Sequence, residues 1–428
     1  EDFFSLFGGI LYVVQLWIYA HTEFSRLDES AYIYKGYLFA TGQYQPFSPG
    51  IWTNKAPLAF LIPGYVQAWF GPGLRSGRYF AVFVAILTIF SLWHTTKRLS
   101  NKWWAASVVW LFALSISFIR LYSLAISQGL IALMLVWILG LSLGGDRKTW
   151  QLSLSAAIAG LMLLTRQNMV LVLPVLLIYI FWQYGFKAGA WASLSGAIVV
   201  LIGHIIWWPG ILQLWSPWLP ENLSSFLKSF YLETPPQSTS LQKAPSLKLP
   251  SMLSTRILSF FRAFRFHIVI FSGVLTTIFL WPQKWKKQQD KYDVLFLLVV
   301  FSVLSAMHAW ASLGKNYCIY CWSLYFDFYS VSGILLIVLS ASSWKKTLPK
   351  YLFPLIFTLI LILTTGMGYS AFEEIGDTLL SLQVPRMKEG LFLPGTTELG
   401  SVLNNKFDLA YSFARQYISI ASGFGIGA

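Results

Sequence analysis

The chain has 428 residues, of which 56% are hydrophobic, 18% aromatic and only 11% charged. At a mean hydropathy of +0.60 there are too few charges to cover a soluble globule of this size, so a water-soluble fold for the chain as a whole is excluded. The formal net charge of +14 comes from lysines and arginines dispersed between apolar runs. Anionic headgroups and the positive-inside rule require that distribution, whereas nucleic acid needs one basic stripe.

The chain opens on Glu1 instead of Met and closes on Gly425-Ile426-Gly427-Ala428 without a charged tail, so both ends read as trimmed, which hides any targeting signal. Apolar runs of nearly twenty residues can cross a hydrocarbon core of about 30 Å. They predict spans at residues 3–20, 78–96, 103–119, 124–143, 151–165, 169–184, 188–207, 265–281, 293–308, 324–341 and 351–369, about eleven in all. The fold class is therefore an all-α polytopic membrane protein. Residues 1–370 are expected to form the transmembrane domain and residues 371–428 an external segment that starts a soluble domain.

Between the first two spans lies the most informative stretch, residues 23–77. Ser25-Arg26-Leu27-Asp28 has the form of a capping box, which predicts a helix through about Thr41 carrying Tyr32, Tyr34, Tyr37 and Phe39. Tyrosines favour the membrane interface, so this helix is expected to lie there. Gln45-Pro46-Phe47-Ser48-Pro49-Gly50 then turns the chain, and Ala56 to Phe70 is apolar enough for a second interfacial helix. A second large loop, 208–264, is rich in proline and serine and is expected to be irregular.

The short loops alternate in charge. One set holds Lys97, Arg98 and Lys102; Arg147 and Lys148; Lys187; Lys284, Lys286, Lys287 and Lys291; and Lys345, Lys346 and Lys350. The other set holds little besides Arg120, Arg166 and Lys315. The basic set is expected to be cytoplasmic, which puts the N-terminus inside and residues 23–77, 208–264 and the tail outside, as in a plasma or inner membrane.

Several residues are candidates for chemistry. Asp28 and Glu29 are an external acidic pair able to supply a general base, or else only a cap partner and a complement to the helix dipole. Lys55 would meet a phosphate at the membrane surface, and Arg75 and Arg78 are three apart at a helix start; the alternative for all three is snorkelling to headgroups. Arg166, beside Gln167 and Asn168, is an ionisable residue at membrane depth, where a functional cluster is the first expectation. Asp327 is read as the acid within a span, paired with an arginine. Cys318 and Cys321 form a lone C-x-x-C, a weak metal signal, and the five histidines make no ligand set. With no phosphate-cradling glycine loop for a cytosolic nucleotide, the driving energy has to arrive with a substrate.

Leu27-Asp28-Glu29-Ser30-Ala31-Tyr32, then Gly36 and Gly42, Asn54-Lys55-Ala56-Pro57-Leu58, and Arg75-Ser76-Gly77-Arg78 entering the second span together resemble the GT-C glycosyltransferases. The resemblance is greatest to the protein O-mannosyltransferase and lipid A aminoarabinose transferase branch. It implies a GT-C-like bundle that transfers a sugar from a polyprenyl-phosphate donor to a lipid, glycan or protein acceptor on the external face, with inversion. It also implies Asp28 as the activating carboxylate with Glu29 supporting it, Lys55 on the donor phosphate, and Tyr32, Arg75, Arg78, Arg166 and Lys315 as further substrate contacts. Asn54-Lys55-Ala56-Pro57 and Asn316-Tyr317 depart from the family's frequent Lys-Pro-Pro or Glu-Lys-Pro and Arg-Tyr, so no metal ligand is assigned and a divalent cation is left open as a cofactor. The alternative is a lipid-linked sugar flippase without transferase chemistry, which should instead show repeated halves and polar residues at the midplane.

Overall fold

The computed structural model describes residues 1–25, 27–48, 56–216, 219–231, 261, 265, 268–279, 281, 285, 288–312, 329–343, 350, 352–388 and 390–428. The chain divides into two compact units, one of Glu1–Leu247, Gly273–Leu313 and Leu324–Trp344, the other of Lys248–Ser272, Gly314–Ser323 and Lys345–Ala428. The first holds α1 (Asp2–Thr22), α2 (Leu27–Ala40), α3 (Leu58–Phe70), α4 (Leu74–Leu99), α5 (Lys102–Leu114), α6 (Ile116–Ser123), α7 (Ser127–Ser142), α8 (Thr149–Thr165), α9 (Val172–Ile206) and α10 (Glu221–Lys228). Most of α11 (Ile268–Phe279), with α12 (Gln288–Ser312) and α13 (Ser330–Ser342), completes it.

The predicted spans reappear as helices or helix limbs. Among the described residues α1, α4, α9 and α14 (Leu352–Ser370) are each long and apolar enough to cross a membrane, and α3, α7, α8, α11 and α13 are shorter apolar helices. The spans expected at 169–184 and 188–207 are two limbs of α9, broken at Gly185, whose φ of +81° only glycine adopts without strain. The span expected at 103–119 is corrected: the helix stops at Leu114 and resumes at Ile116 after a 75° turn. Ser115 makes that break, its side chain accepting from the Phe118 amide at 3.4 Å as the cap of α6.

Polar contacts sort the bundle into two ends. At one, Asp2 receives Lys97 at 3.2 Å and Lys102 at 2.8 Å, Arg98 donates to the Leu143 carbonyl at 3.1 Å, and Asp293 accepts the Gly144 amide at 2.9 Å. Of the loops that the charge pattern groups together, the one holding Lys97, Arg98 and Lys102 and the one after α7 are thus gathered at one end with the start of α12. Asp293 is 1% exposed and also takes the Tyr179 hydroxyl at 2.5 Å. It is a buried acid that the sequence reading passed over in favour of Asp327, which lies outside the described residues.

At the opposite end the two interfacial helices predicted in the first loop are present as α2 and α3, packed as a tight pair. A Cβ on Gly36 would stand 2.5 Å from the Phe60 carbonyl oxygen, and one on Gly64 would overlap the Gly36 carbonyl. Tyr32, Phe39, Ala59 and Phe60 fill the contact beside them. Further along the loop, Phe47 and Ala56 are buried with Leu163, Leu164, Ile211 and Leu214, which docks both sides of residues 49–55 on the end of α8. The capping box is corrected as well: α2 opens at Leu27, and the Ser25 hydroxyl sits 3.4 Å from that of Ser30.

The second unit contains α14, α15 (Asp377–Leu380), a two-stranded antiparallel hairpin of β1 (Gln383–Lys388) and β2 (Leu391–Glu398), α16 (Leu399–Phe407) and α17 (Tyr411–Gly427). Within it Arg265 pairs with Glu374.

Because backbone meets backbone at Gly36 and Gly64, Gly64→Ala has no flexible side chain to displace. It should destabilise the protein by about 1–3 kcal/mol in thermal unfolding of the purified, detergent-solubilised chain. Gly9→Ala on α1, where a Cβ meets nothing within 4 Å, should leave the melting temperature unchanged.

Candidate active site

Successive residues on a helix point about 100° apart, and the first turn of α2 uses that to separate its two carboxylates. Glu29 is 0% exposed, whereas Asp28 is exposed to solvent. Glu29 meets Arg78 of α4 in a fork, Nε to Oε1 at 3.0 Å and Nη2 to Oε2 at 2.9 Å, and Oε1 also accepts the Ala125 amide at 2.9 Å. Arg78 gives its remaining donors to backbone: Nη1 to the carbonyls of Ala20 at 2.9 Å and Glu23 at 2.8 Å, Nη2 to that of Phe24 at 3.2 Å. One buried ion pair thus ties the end of α1, the starts of α2 and α4, and the α6–α7 connection.

Arg75, one turn before Arg78, is exposed. The two arginines share a helix end but divide between solvent and interior. Near them Arg120 holds Glu23 at 3.1 Å on the exposed surface.

One turn beyond Asp28, on the same side of α2 by helical periodicity, Tyr32 is 1% exposed. Its hydroxyl lies 2.8 Å from Ser127 Oγ, which also accepts from Arg166 Nη1 at 3.2 Å. Arg166 Nε in turn donates to Asn168 Oδ1 at 3.1 Å. The structure therefore brings together Tyr32 of the first loop and Arg166 at the end of α8, far apart along the chain, through a serine at the start of α7. A narrow cleft opens beside this contact, lined mainly by apolar groups including Ala59, Pro63, Phe80 and Val84, with Tyr32 and Ser127 on its wall. Tyr34 is exposed and Tyr37 half-buried.

Lys55, Lys315, Cys318 and Cys321 lie outside the described residues. Among the described residues no three His, Cys, Asp or Glu side chains converge as metal ligands would. Sequence reasoning missed Ser127 and the Ala125 amide. The one signal for them was polar Ser127-Gln128 after the apolar Leu124-Ala125-Ile126, at a connection where a span was expected to be continuous.

The arrangement offers a water-facing carboxylate beside a helix N-terminus, an exposed arginine, a buried guanidinium in contact with Ser127 and Asn168, and an apolar cleft next to them. A carboxylate so placed can take a proton from an acceptor, and the cations can meet an anionic leaving group.

Residues 54–208 match the model of the family described as dolichyl-phosphate-mannose-protein mannosyltransferase. That match runs from Asn54 through the second limb of α9 and bears out the resemblance to GT-C glycosyltransferases. No curated protein matches the chain. Among solved structures, ArnT from Cupriavidus metallidurans bound to undecaprenyl phosphate is 14% identical, with a TM-score of 0.48 over 100% of this chain and 76% of that one. The oligosaccharyltransferase of Archaeoglobus fulgidus in its apo form is 12% identical, with a TM-score of 0.47 over 98% of this chain and 55% of that one.

The buried pair predicts its own mutational signature. Arg78→Ala strands a buried carboxylate and should cost about 3–5 kcal/mol of stability. Adding Glu29→Gln to Arg78→Ala should recover part of that loss in the same unfolding assay, the non-additivity expected of groups in contact. Strictly additive losses would mean that the two charges do not interact.

Proposed function

We propose that this GT-C-type membrane protein is an inverting glycosyltransferase that moves a sugar from a polyprenyl-phosphate donor to a hydroxyl acceptor on the external face of the membrane. The observation that carries the reading is the unequal fate of the acidic pair: Glu29 is consumed in holding the loop, which leaves Asp28 in solvent. The family match over residues 54–208 supports the same class of reaction.

In this mechanism the acceptor oxygen attacks the anomeric carbon on the side away from the phosphate. The new carbon–oxygen bond forms as the bond to the phosphate oxygen breaks, the polyprenyl phosphate leaves with the electron pair, and Asp28 takes the acceptor's proton. One displacement gives inversion. The donor is already activated, so the protein's task is to orient it and to meet the charge that develops on the leaving group. Lys55, Arg75, Arg166 and Lys315 are assigned to that charge. Exposed Tyr34 and half-buried Tyr37 offer ring faces to a sugar, while buried Tyr32 contributes through Ser127 and Arg166.

Glu29 and Arg78 are positioning residues here. With every guanidinium donor engaged, Arg78 fixes where α2 begins and hence where Asp28 stands. The basic residues Lys97, Arg98 and Lys102 gathered with Asp2 at the other end support a cytoplasmic N-terminus and an external site by the positive-inside rule.

Purified protein assayed with a panel of radiolabelled polyprenyl-phosphate sugars should transfer the sugar or slowly hydrolyse the donor. Asp28→Asn should lower turnover by about 10²–10⁴-fold with donor binding retained. Lys55→Ala should act chiefly by weakening donor binding. Donor binding without turnover by the wild type across the panel would instead support a lipid-linked sugar carrier.

A further inference from the structure

We propose that α17 is embedded in the membrane, lying in the hydrocarbon against the C-terminal half of α14, so that residues 371–410 are a loop tethered to the bilayer at both ends. The packing between the two helices sets the depth. Their closest approach is made by glycines: a Cβ on either Gly368 or Gly423 would stand 3.0 Å from the other's Cα. Near the start of α17, Arg415 lies 3.5 Å from Asp377 and 5.0 Å from the centre of the Phe372 ring, and the Tyr411 hydroxyl donates to Asp377 at 3.3 Å. Near its end, a Cβ on Gly427 would meet the Thr364 side chain and stand 3.3 Å from Leu361 Cα. The helices are therefore antiparallel, and α17 runs back beside α14 from the level of Asp377 to that of Leu361.

α14 is long and apolar enough to cross a bilayer, and Glu373, Glu374 and Asp377 mark the surface beyond its last turn. Leu361 lies nine residues before Ser370, about 14 Å at 1.5 Å per residue, close to the middle of a hydrocarbon core of about 30 Å. Any helix packed along that stretch is surrounded by the same lipid.

The composition of α17 fits that depth. From Gln416 to Ala428 it carries no charged residue. Along its length α17 exposes Phe413 and Tyr417 at 56%, Phe424 at 50% and Ile426 at 81%. Its one charge, Arg415, is held at the level of the acids, where a cation at an interface belongs. Glycine-mediated contact is also how helices pair where lipid removes the hydrophobic drive to associate. A helix of a soluble domain would instead turn such rings inward.

The test uses the full chain with Cys318→Ser and Cys321→Ser, and a bimane fluorophore on Phe424→Cys or Tyr411→Cys, reconstituted in liposomes. Lipids brominated near the acyl-chain ends should quench the probe at 424, and aqueous iodide should not; the probe at 411 should show the reverse preference. Phe424 is half-exposed, so cysteine there disturbs no core, and elution as a single species in detergent checks the fold. Quenching at 424 by iodide, or no quenching there by bromolipid, overturns the proposal.

Discussion

Arg78 and Glu29 face each other with both charges out of water, and such a pair holds only if almost every donor and acceptor on it is engaged, because desolvation otherwise outweighs the attraction. A guanidinium has five N–H donors in a fixed fork. Here two go to Glu29 and three to the carbonyls of Ala20, Glu23 and Phe24. Those carbonyls belong to the last turn of α1 and its exit, where a helix has acceptors without intrahelical partners and a negative dipole end. Glu29 sits in the first turn of α2, where the dipole favours an anion. The pair thus joins two helix ends whose own electrostatics already call for the charge each receives, and the first loop takes its position from that junction.

Everything that makes the site follows from where α2 is pinned. With Glu29 turned inward, the following turn carries Tyr32 to Ser127 and through it to Arg166, and the Gly36–Gly64 approach leaves no room for α3 to slide. Asp28 is exposed because its neighbour is not. Two adjacent carboxylates acting together in a catalytic dyad would have to share one environment, and here they differ as far as burial allows. The buried one does structural work, and the other stays in solvent, as the proposed role of Asp28 as a base requires.

The fold was largely legible in the sequence because membrane spans announce themselves by length and apolarity, and the charge alternation grouped loops that Asp2, Arg98 and Asp293 gather at one end. Gly185 was legible too, as the gap between two apolar runs. What stayed hidden was local and polar. Ser115 breaks a span with a hydroxyl cap, and no proline or glycine stands there to advertise it. Arg78 looked like Arg75 because spacing gives a helix face but not which neighbour covers it; only the approach of α1 and the α6–α7 connection makes one arginine interior and the other not. The Tyr32–Ser127–Arg166 contact joins three separate helices, and a serine carries too little information for any pattern to single it out.

The two ends of the bundle are stabilised by different chemistry. At the basic-loop end Asp293 is satisfied by a backbone amide, a tyrosine and a glutamine, with Gln289 donating to it at 2.6 Å. These are neutral partners that close a turn and offer nothing to a ligand. At the opposite end the buried charge is matched by a charge, and an exposed acid and an exposed arginine remain beside it. A carrier is expected to hold its binding groups near the bilayer midplane between repeated halves. The buried acid at one end is closed by neutral hydrogen bonds, while at the other a buried ion pair stands beside an exposed acid and an exposed arginine, the asymmetry that the proposed transfer on a single face would use.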